Sequence, residues 1–322
     1  MDISRRAALS AVALALPSLA RADAVFSRPV RLIVTFAPGG GSDVTARLLA
    51  PGLSEALGVP VVVENRAGAG GSVGTVELAR AAPDGHTIAV VSSSHVTNPI
   101  LMSPPPYHAT RDITAITNVI SAPNSITVAG RSPFRTLPDL IAAARARPGT
   151  MSYATSGVGT AQHIGGARLS LLTQSDLVHV PYRGGGPAHA ATLAGETDFG
   201  LSNFASMMPH VADGRVRMLA VAAPRRVALA PDVPTVAEAL NLPGYDSVEW
   251  YGVIAPAGLP RAYVERLDAA VRGTARRPEV AQRFETLGTT PILDGPEAFL
   301  AFLQEQHTVT SDIVRAANIR IQ

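Results

Sequence analysis

Hydrophobic residues occur along this chain in short runs, separated by longer stretches in which apolar positions recur every three or four residues. The short runs are rich in valine and isoleucine and predict strands, while the longer stretches predict amphipathic helices. This alternation is typical of an α/β protein with helices on both faces of a mostly parallel sheet. The predicted strands span residues 30–36, 59–64, 86–92, 126–129, 151–155, 178–181, 199–202, 218–222 and 248–254.

Several of the predicted helices carry start or stop signals. The predicted helices span residues 42–57, 72–81, 262–275, 278–287 and 296–316, with a further helix opening after Thr136. Thr136 is a good N-cap, and Pro138 is acceptable because the first turn needs no donor from it. Pro51 removes a backbone donor inside the first helix, so the sequence predicts a kink or an early end there. The 322 residues are enough for two domains.

The first 24 residues have the three-part pattern of a signal peptide. Arg5 and Arg6 precede an apolar stretch at 7–20, and an A-x-A cleavage site ends at Ala24. We therefore expect export to the periplasm with cleavage near Ala24, by either the general or the twin-arginine route. A membrane anchor is the alternative, and it is disfavoured because the stretch is shorter than ~20 residues and contains Pro17.

Composition narrows the classes of protein that this chain can belong to. Hydrophobic residues make up 47% and charged residues 16%, which argues against extensive disorder. The chain has no cysteine, which excludes a lipid-anchored N-terminus, disulfides and a thiol nucleophile. Residues 1–24 contain three arginines and two aspartates, so the formal charge falls from +2 to +1 without them. The remaining arginines are scattered, so we expect no nucleic-acid binding.

Three glycine-rich segments lie where predicted strands turn into helices, at residues 36–43, 68–74 and 156–163. Backbone N–H groups and the helix dipole can hold an anion at such a turn. None of the three matches the dinucleotide fingerprint, and a phosphate loop is excluded because the chain has no lysine. A second α/β series begins near Ser125, so the turns at 36–43 and 156–163 fall in different series. Two such turns predict that a ligand is held between facing helix N-termini.

The sequence contains no recognisable catalytic or metal-binding motif. It lacks a G-x-S-x-G elbow and an H-E-x-x-H pair, and its eight histidines show no metal-ligand spacing. We expect no cofactor and no metal. His95 and His163 are interpreted as hydrogen-bonding groups, with a hydrolase or isomerase that uses one of them as the alternative. Asp43, at the start of a predicted helix, is interpreted as an organiser of its loop.

Six ordered segments resemble a known family of receptors. They are Pro38 to Asp43 with Ala46-Arg47, Val63 to Arg66 leading into Gly68 to Gly74, Ala82 to Gly85, Tyr153 to Thr160, His179 to Gly184, and Pro231 to Glu238. With them the chain resembles the substrate-binding proteins of tripartite tricarboxylate transporters, often called Bug receptors, over essentially its whole length after residue 24. Two departures concern the ligand: Ser93-Ser94-His95 lies in a variable part of the cleft, and Asn203 stands where aspartate is common.

The resemblance implies a type II-like periplasmic binding protein of the Venus-flytrap kind, with two α/β lobes joined by crossing hinge strands. The first lobe is expected at residues 25–123 and 247–322, and the second lobe at 124–246. The implied function is capture of a small carboxylate or dicarboxylate and its delivery to integral-membrane transporter subunits, without catalysis. The mature chain is expected to be a monomer that does not insert into the membrane. A ligand sensor for a signalling partner would need the same cleft and stays open as an alternative.

The predicted ligand-binding residues come from both lobes. They are Pro38, Gly39, Gly40, Gly41, Ser42, Asp43, Ser93, Ser94, His95, Asn98, Ser156, Gly157, Gly159, Thr160, His163 and Asn203. In this prediction the N–H groups of the loop at 156–160 point into the cleft.

Overall fold

The computed structural model describes residues 26–182 and 184–319, so the predicted signal peptide at 1–24 lies outside the described residues. The strands are β1 (Val30–Val34), β2 (Val61–Asn65), β3 (Thr87–Ser92), β4 (Ile113–Ala129), β5 (Ser152–Thr155), β6 (Val178–Pro181), β7 (Phe199–Asn203), β8 (Val216–Ala222), β9 (Val248–Pro256) and β10 (Thr290–Pro291). Every predicted strand is present. The largest difference is in β4, which begins thirteen residues before the predicted start at residue 126.

Helices fill the connections between most strands. They are α1 (Gly41–Leu57), α2 (Ser72–Ala79), α3 (Ser94–Leu101), α4 (Leu137–Ala146), α5 (Ala161–Thr173), α6 (Gly185–Ala194), α7 (Phe204–Ala212), α8 (Val236–Leu240), α9 (Arg261–Ala275), α10 (Pro278–Thr286) and α11 (Pro296–Ala316). Thr136 caps α4 through a capping box with Asp139, as its sequence predicts. Of the two outcomes predicted at Pro51, the early end is wrong, because α1 continues through the exposed proline to Leu57. A kink at this proline stays a prediction.

The strands form two sheets that share β4. In the first sheet β1 pairs in parallel with β2 and β3, and β9 joins antiparallel between β3 and β4. In the second sheet β5 pairs in parallel with β6 and β7, and β4 pairs antiparallel with β7 and β8. Residues 113–123 of β4 belong to the first sheet and residues 124–129 to the second. The sheets are therefore parallel within their βα units and antiparallel at the crossing strands.

The hydrophobic clusters of the described residues divide between two lobes. Two clusters draw on residues 26–120 and 250–303, and two others draw on residues 126–245. Phe299 and Leu303 of α11 belong to a first-lobe cluster with Trp250, so the C-terminal helix packs into that core. Lobe boundaries at 123/124 and 246/247 stay a prediction that is consistent with this division. Among the described residues, no helix is both long and apolar enough to cross a membrane.

Candidate ligand-binding cleft

A cavity of about 810 Å³ lies between the two lobes, where the glycine-rich loops of both meet. Ten of the predicted site residues line this cavity: Pro38, Gly39, Gly40, Gly41, Ser42, Ser93, Ser94, Ser156, Thr160 and Asn203. The other six, Asp43, His95, Asn98, Gly157, Gly159 and His163, lie outside its wall. The two predicted loops therefore meet at one cavity, but several of the predicted residues lie behind its wall.

Five helices of the described chain begin at the wall of this cavity. Their N-cap residues are Gly40 of α1, Ser93 of α3, Thr160 of α5, Gly184 of α6 and Asn203 of α7. The first N–H groups of a helix have no intrahelical acceptor, and the dipole adds partial positive charge there. Backbone groups therefore give the cavity positive potential, and no arginine of the described residues lines its wall.

The glycine-capped helices leave their first N–H groups most open. The caps of α1 and α6, Gly40 and Gly184, form no side-chain cap hydrogen bond. At α5 and α7 the cap side chains are used internally, since Thr160 accepts the His163 N–H and Asn203 accepts the Ser206 N–H. The cap of α3, Ser93, also forms no side-chain cap hydrogen bond, but its N–H donates to the Glu249 carboxylate. The N-termini of α1, in the first lobe, and α6, in the second, are therefore the best-placed anion donors on either side of the cavity.

Asp43 organises the first loop, as its position predicts, but it does not line the cavity. Its Oδ2 atom accepts hydrogen bonds from the Gly39 N–H and the Arg47 Nε, each at 2.9 Å, and Oδ1 accepts one from the Asn65 Nδ2 at 2.9 Å. Burial opposes ionisation of Asp43, but these three donors outweigh it and lower the pKa of the carboxyl. Asp43 is consequently a charged group that is satisfied within the protein and lies outside the cavity wall.

Gly41, the first residue of α1, permits a close contact with the crossing strand β9. A Cβ atom at this position would lie 2.1 Å from the hydroxyl oxygen of Tyr251. Tyr251 also lines the cavity. The glycine is needed here because the tyrosine hydroxyl approaches the start of the helix more closely than any side chain would allow.

Two serine hydroxyls in the cavity wall have no hydrogen-bond partner in the described part of the chain. The Oγ atoms of Ser93 and Ser202 are buried and unpaired among the described residues, and Ser202 is only 2% exposed. A buried unpaired hydroxyl is costly unless something else satisfies it. Because both residues line the cavity, a polar ligand or its water is the natural partner for these groups.

The loop between β5 and α5 does not direct all its N–H groups into the cavity. The Gly157 N–H donates to the Thr155 Oγ1 at 3.2 Å, and the Gly159 N–H donates to the His163 Nδ1 at 3.2 Å. The predicted inward orientation of these two groups is therefore wrong, because acceptors within the lobe already take them. Ser156 and Thr160 remain in the cavity wall.

His163 supports this loop from behind and is not a cavity residue. Its ring stacks on His179 with 3.8 Å between centroids, and the Nε2 atom of His179 is 2.7 Å from the Thr155 Oγ1. Burial lowers the pKa of His163 to about 4, and burial together with the charge of His163 lowers that of His179 to about 3. Both rings are neutral at pH 7, so neither supplies positive charge to a ligand.

His95 and Asn98 of α3 are also structural in this fold. The Nε2 atom of His95 lies 2.7 Å from the carbonyl oxygen of Ala109, and its fully buried ring has a pKa of about 4. Asn98 donates to the carbonyl oxygen of Gly70 at 2.8 Å and to the Ser72 Oγ at 3.0 Å. It fixes the second glycine-rich segment, at 68–74, and neither residue faces the cavity.

Sequence reasoning missed several residues of the cavity wall. They include Thr45, Ser92, Gln162, Gly185, Gly186, His189, Ser202, Ser206, Glu249, Tyr251 and Thr289. The glycine run at 184–186 follows a strand and opens a helix, so the signal used for the other glycine-rich turns applied there as well. No such signal marks Glu249 and Tyr251, which reach the cavity because β9 crosses beside β3 and β4.

Two α/β lobes, shared crossing strands and a cleft lined by helix N-termini define a two-lobed periplasmic binding protein. This chain belongs to the tripartite tricarboxylate transporter receptor family, whose model matches residues 45–319. The resemblance seen in the sequence is therefore confirmed, together with the fold class it implies.

Individual relatives agree with this assignment over nearly the whole chain. A protein encoded in the tcbD–tcbE intergenic region of Pseudomonas sp. strain P51 is 38% identical over 92% of this chain and 89% of its own length. The solved structure of the periplasmic binding protein BugD is 31% identical, with a TM-score of 0.79 over 92% of this chain and 100% of that one. MatC from Rhodopseudomonas palustris, solved with bound malate, is 30% identical, with a TM-score of 0.78 over 89% of this chain and 99% of that one.

Proposed function

We propose that this protein is a periplasmic receptor that captures a small carboxylate or dicarboxylate in the cleft between its lobes. The observation that carries the proposal is the meeting of five helix N-termini at one cavity between two lobes. Oriented N–H groups offset the cost of removing a carboxylate from water. The malate bound to MatC is a carboxylate of this kind.

Delivery to a membrane transporter is the second part of the proposal. Membership of a transporter receptor family supports it. In this proposal the ligand bridges both lobes and favours a closed arrangement that the transporter subunits recognise, with residues 124–246 moving as one lobe against the rest. Export through cleavage near Ala24, and function as a monomer, belong to the same proposal.

Binding without catalysis is the third part. The alternative of a hydrolase depends on His95 or His163, and the wall of the cavity includes neither ring. His95 is occupied by the Ala109 carbonyl group and His163 by the Gly159 N–H. A general base must reach the substrate within hydrogen-bond distance, so their positions favour a receptor over an enzyme.

A thermal-shift screen of mono- and dicarboxylates, followed by calorimetry, tests the proposal. A ligand present at 100 times its dissociation constant adds about 2.7 kcal/mol of stability. Ser202→Ala should then weaken binding by roughly 0.5 to 1.5 kcal/mol, because the hydroxyl that it removes has no partner among the residues that the structure describes. The matched control is Ser125→Ala, since Ser125 is equally buried and pairs with Ser202 across the sheet but lies outside the cavity. Equal binding by the two variants would argue against this cavity as the site.

A further inference from the structure

Glu249 is the single acidic side chain in the described wall of the cavity, and no described arginine lines that wall. It lies near the start of β9, where the chain returns from the second lobe. Glu249 and Tyr251 are two residues apart on the strand and share the face toward the cavity, while Trp250 between them packs into the first-lobe core. A carboxylate at this place is a specific feature of the site and not part of the packing.

The backbone holds Glu249 in a fixed position. Glu249 pairs with Ala122 of β4 in the antiparallel ladder of the crossing strands. Its Oε1 atom accepts a hydrogen bond from the Ser93 N–H at 2.9 Å, at the start of α3. The side chain therefore has an anchor on one oxygen, and the residue faces the space where a ligand would lie.

No cation in the described part of the structure balances this carboxylate. Burial raises the pKa of Glu249, and hydrogen bonds from the backbone groups of Ser93 and Trp250 oppose that rise in part. His189 is the one imidazole in the described wall, and burial lowers its pKa and so disfavours its charged form. Among the described residues, this half-buried carboxylate has a hydrogen-bond donor at the start of α3 but no opposite charge, and a cationic ligand group would supply one.

We propose that Glu249 binds a protonated amine of the ligand, so that the receptor selects carboxylates that also carry an ammonium group. The inference rests on the proposed function, because the helix N-termini must hold the carboxylate of the same ligand. Such a ligand places each of its charges against an opposite one. A plain dicarboxylate lacks this positive charge and would place its negative charges near Glu249 with nothing to offset the repulsion, which a low dielectric strengthens.

Calorimetry near neutral pH with matched ligand pairs tests the inference on the full mature chain. The pairs are aspartate with succinate and glutamate with glutarate, which differ only in the amine. We expect the amino member of at least one pair to bind tighter by about tenfold or more. Glu249→Gln should remove most of that preference, because glutamine can still accept the Ser93 N–H but carries no charge. Glu265→Gln is the matched control, since Glu265 is an exposed side chain of α9 that pairs with Arg261 and lies outside the cavity wall.

The outcomes separate this inference from the proposed function. Equal binding of both members of each pair, or an unchanged preference in Glu249→Gln, would overturn the role of Glu249 while leaving a carboxylate receptor in place. Tighter binding of the dicarboxylates that is lost in Glu249→Gln would also overturn it, because the side chain would then act as a protonated donor. Failure of every carboxylate, with or without an amine, to bind the wild-type protein would overturn both proposals.

Discussion

At the scale of single residues, the histidines show how burial assigns roles that the sequence leaves open. His163 and His179 stack on each other behind the loop of the second lobe, and His95 is enclosed between Tyr107 and the Ala109 carbonyl group. All three have lowered pKa values, because a buried imidazole resists protonation. These rings stabilise the fold as neutral groups and should make it sensitive to acid.

The pH dependence of the free energy of unfolding tests whether the neutral His179 ring makes the fold sensitive to acid. Its pKa is about 3 in the folded protein and 6.5 in the unfolded chain, so the unfolded chain binds the proton first as the pH falls. The stabilising contribution is complete above about pH 6.5 and is lost toward pH 3, at up to about 1.4 kcal/mol per pH unit. His179→Phe keeps the stacked ring and removes this proton site. Urea unfolding should therefore give a shallower pH dependence for the variant, and parallel curves would contradict the assignment.

At the scale of elements, the cap of α5 is a residue that both begins a helix and lines the cavity. Thr160 caps α5 by accepting the His163 N–H, and its hydroxyl donates to the Gly157 carbonyl oxygen at 2.8 Å. One side chain thus closes the loop on both sides and also lines the cavity. The strength of this cap should affect both the stability of the second lobe and the geometry of binding.

Thr160→Val should lower the free energy of unfolding by about 1 kcal/mol, because the cap is lost while the shape is kept. Ligand affinity should fall as well, since the loop is no longer held at its productive position. Thr160→Ser retains the hydroxyl and serves as the control. Urea denaturation and calorimetry on both variants provide the measurement, and equal values for valine and serine would show that the hydroxyl has neither role.

At the scale of the whole molecule, the lobes meet beside the cavity as well as through the crossing strands. Gly159 of the second lobe faces α3 of the first, and a Cβ atom there would lie 3.3 Å from the Leu101 Cδ1 and 3.5 Å from the Asn98 Oδ1. Gly159 also has a φ of +79°. Gly159 is therefore a point of close approach between the lobes. Its N–H donates to His163, so we expect Gly159 to affect binding through this approach and not through a hydrogen bond to the ligand.

Gly159→Asn should weaken ligand binding by about tenfold, because the added side chain holds the lobes apart while asparagine tolerates positive φ. Gly214→Asn is the matched control, since Gly214 has a φ of +67° and nothing within 4 Å of an added Cβ. Calorimetry measures affinity, and small-angle scattering with ligand reports whether the lobes close. Normal binding and closure in Gly159→Asn would show that the two lobes do not meet closely at this residue.

The local pattern was sufficient for most elements of this fold. Strand β6 has the predicted bounds, α11 does as well, and Thr136 caps α4 as expected. Helix α3 was missed because it is short and contains Pro99. The first half of β4 was missed because both of its faces are buried, so hydrophobic and polar residues do not alternate there.

The sequence by itself determined the alternation of strands and helices, the glycine-rich turns and the family, because these depend on residues close together in the chain. Only the tertiary structure decided which polar groups face the ligand. Glu249 and Ser93 are 156 residues apart, and they meet because β9 returns beside β3. Asp43, Asn98 and His163 have the same chemical types as cavity residues, but internal partners already satisfy them. Local sequence carries no information about such long-range hydrogen bonds. It therefore predicted which glycine-rich loops reach the cavity, but only in part which of their residues line it.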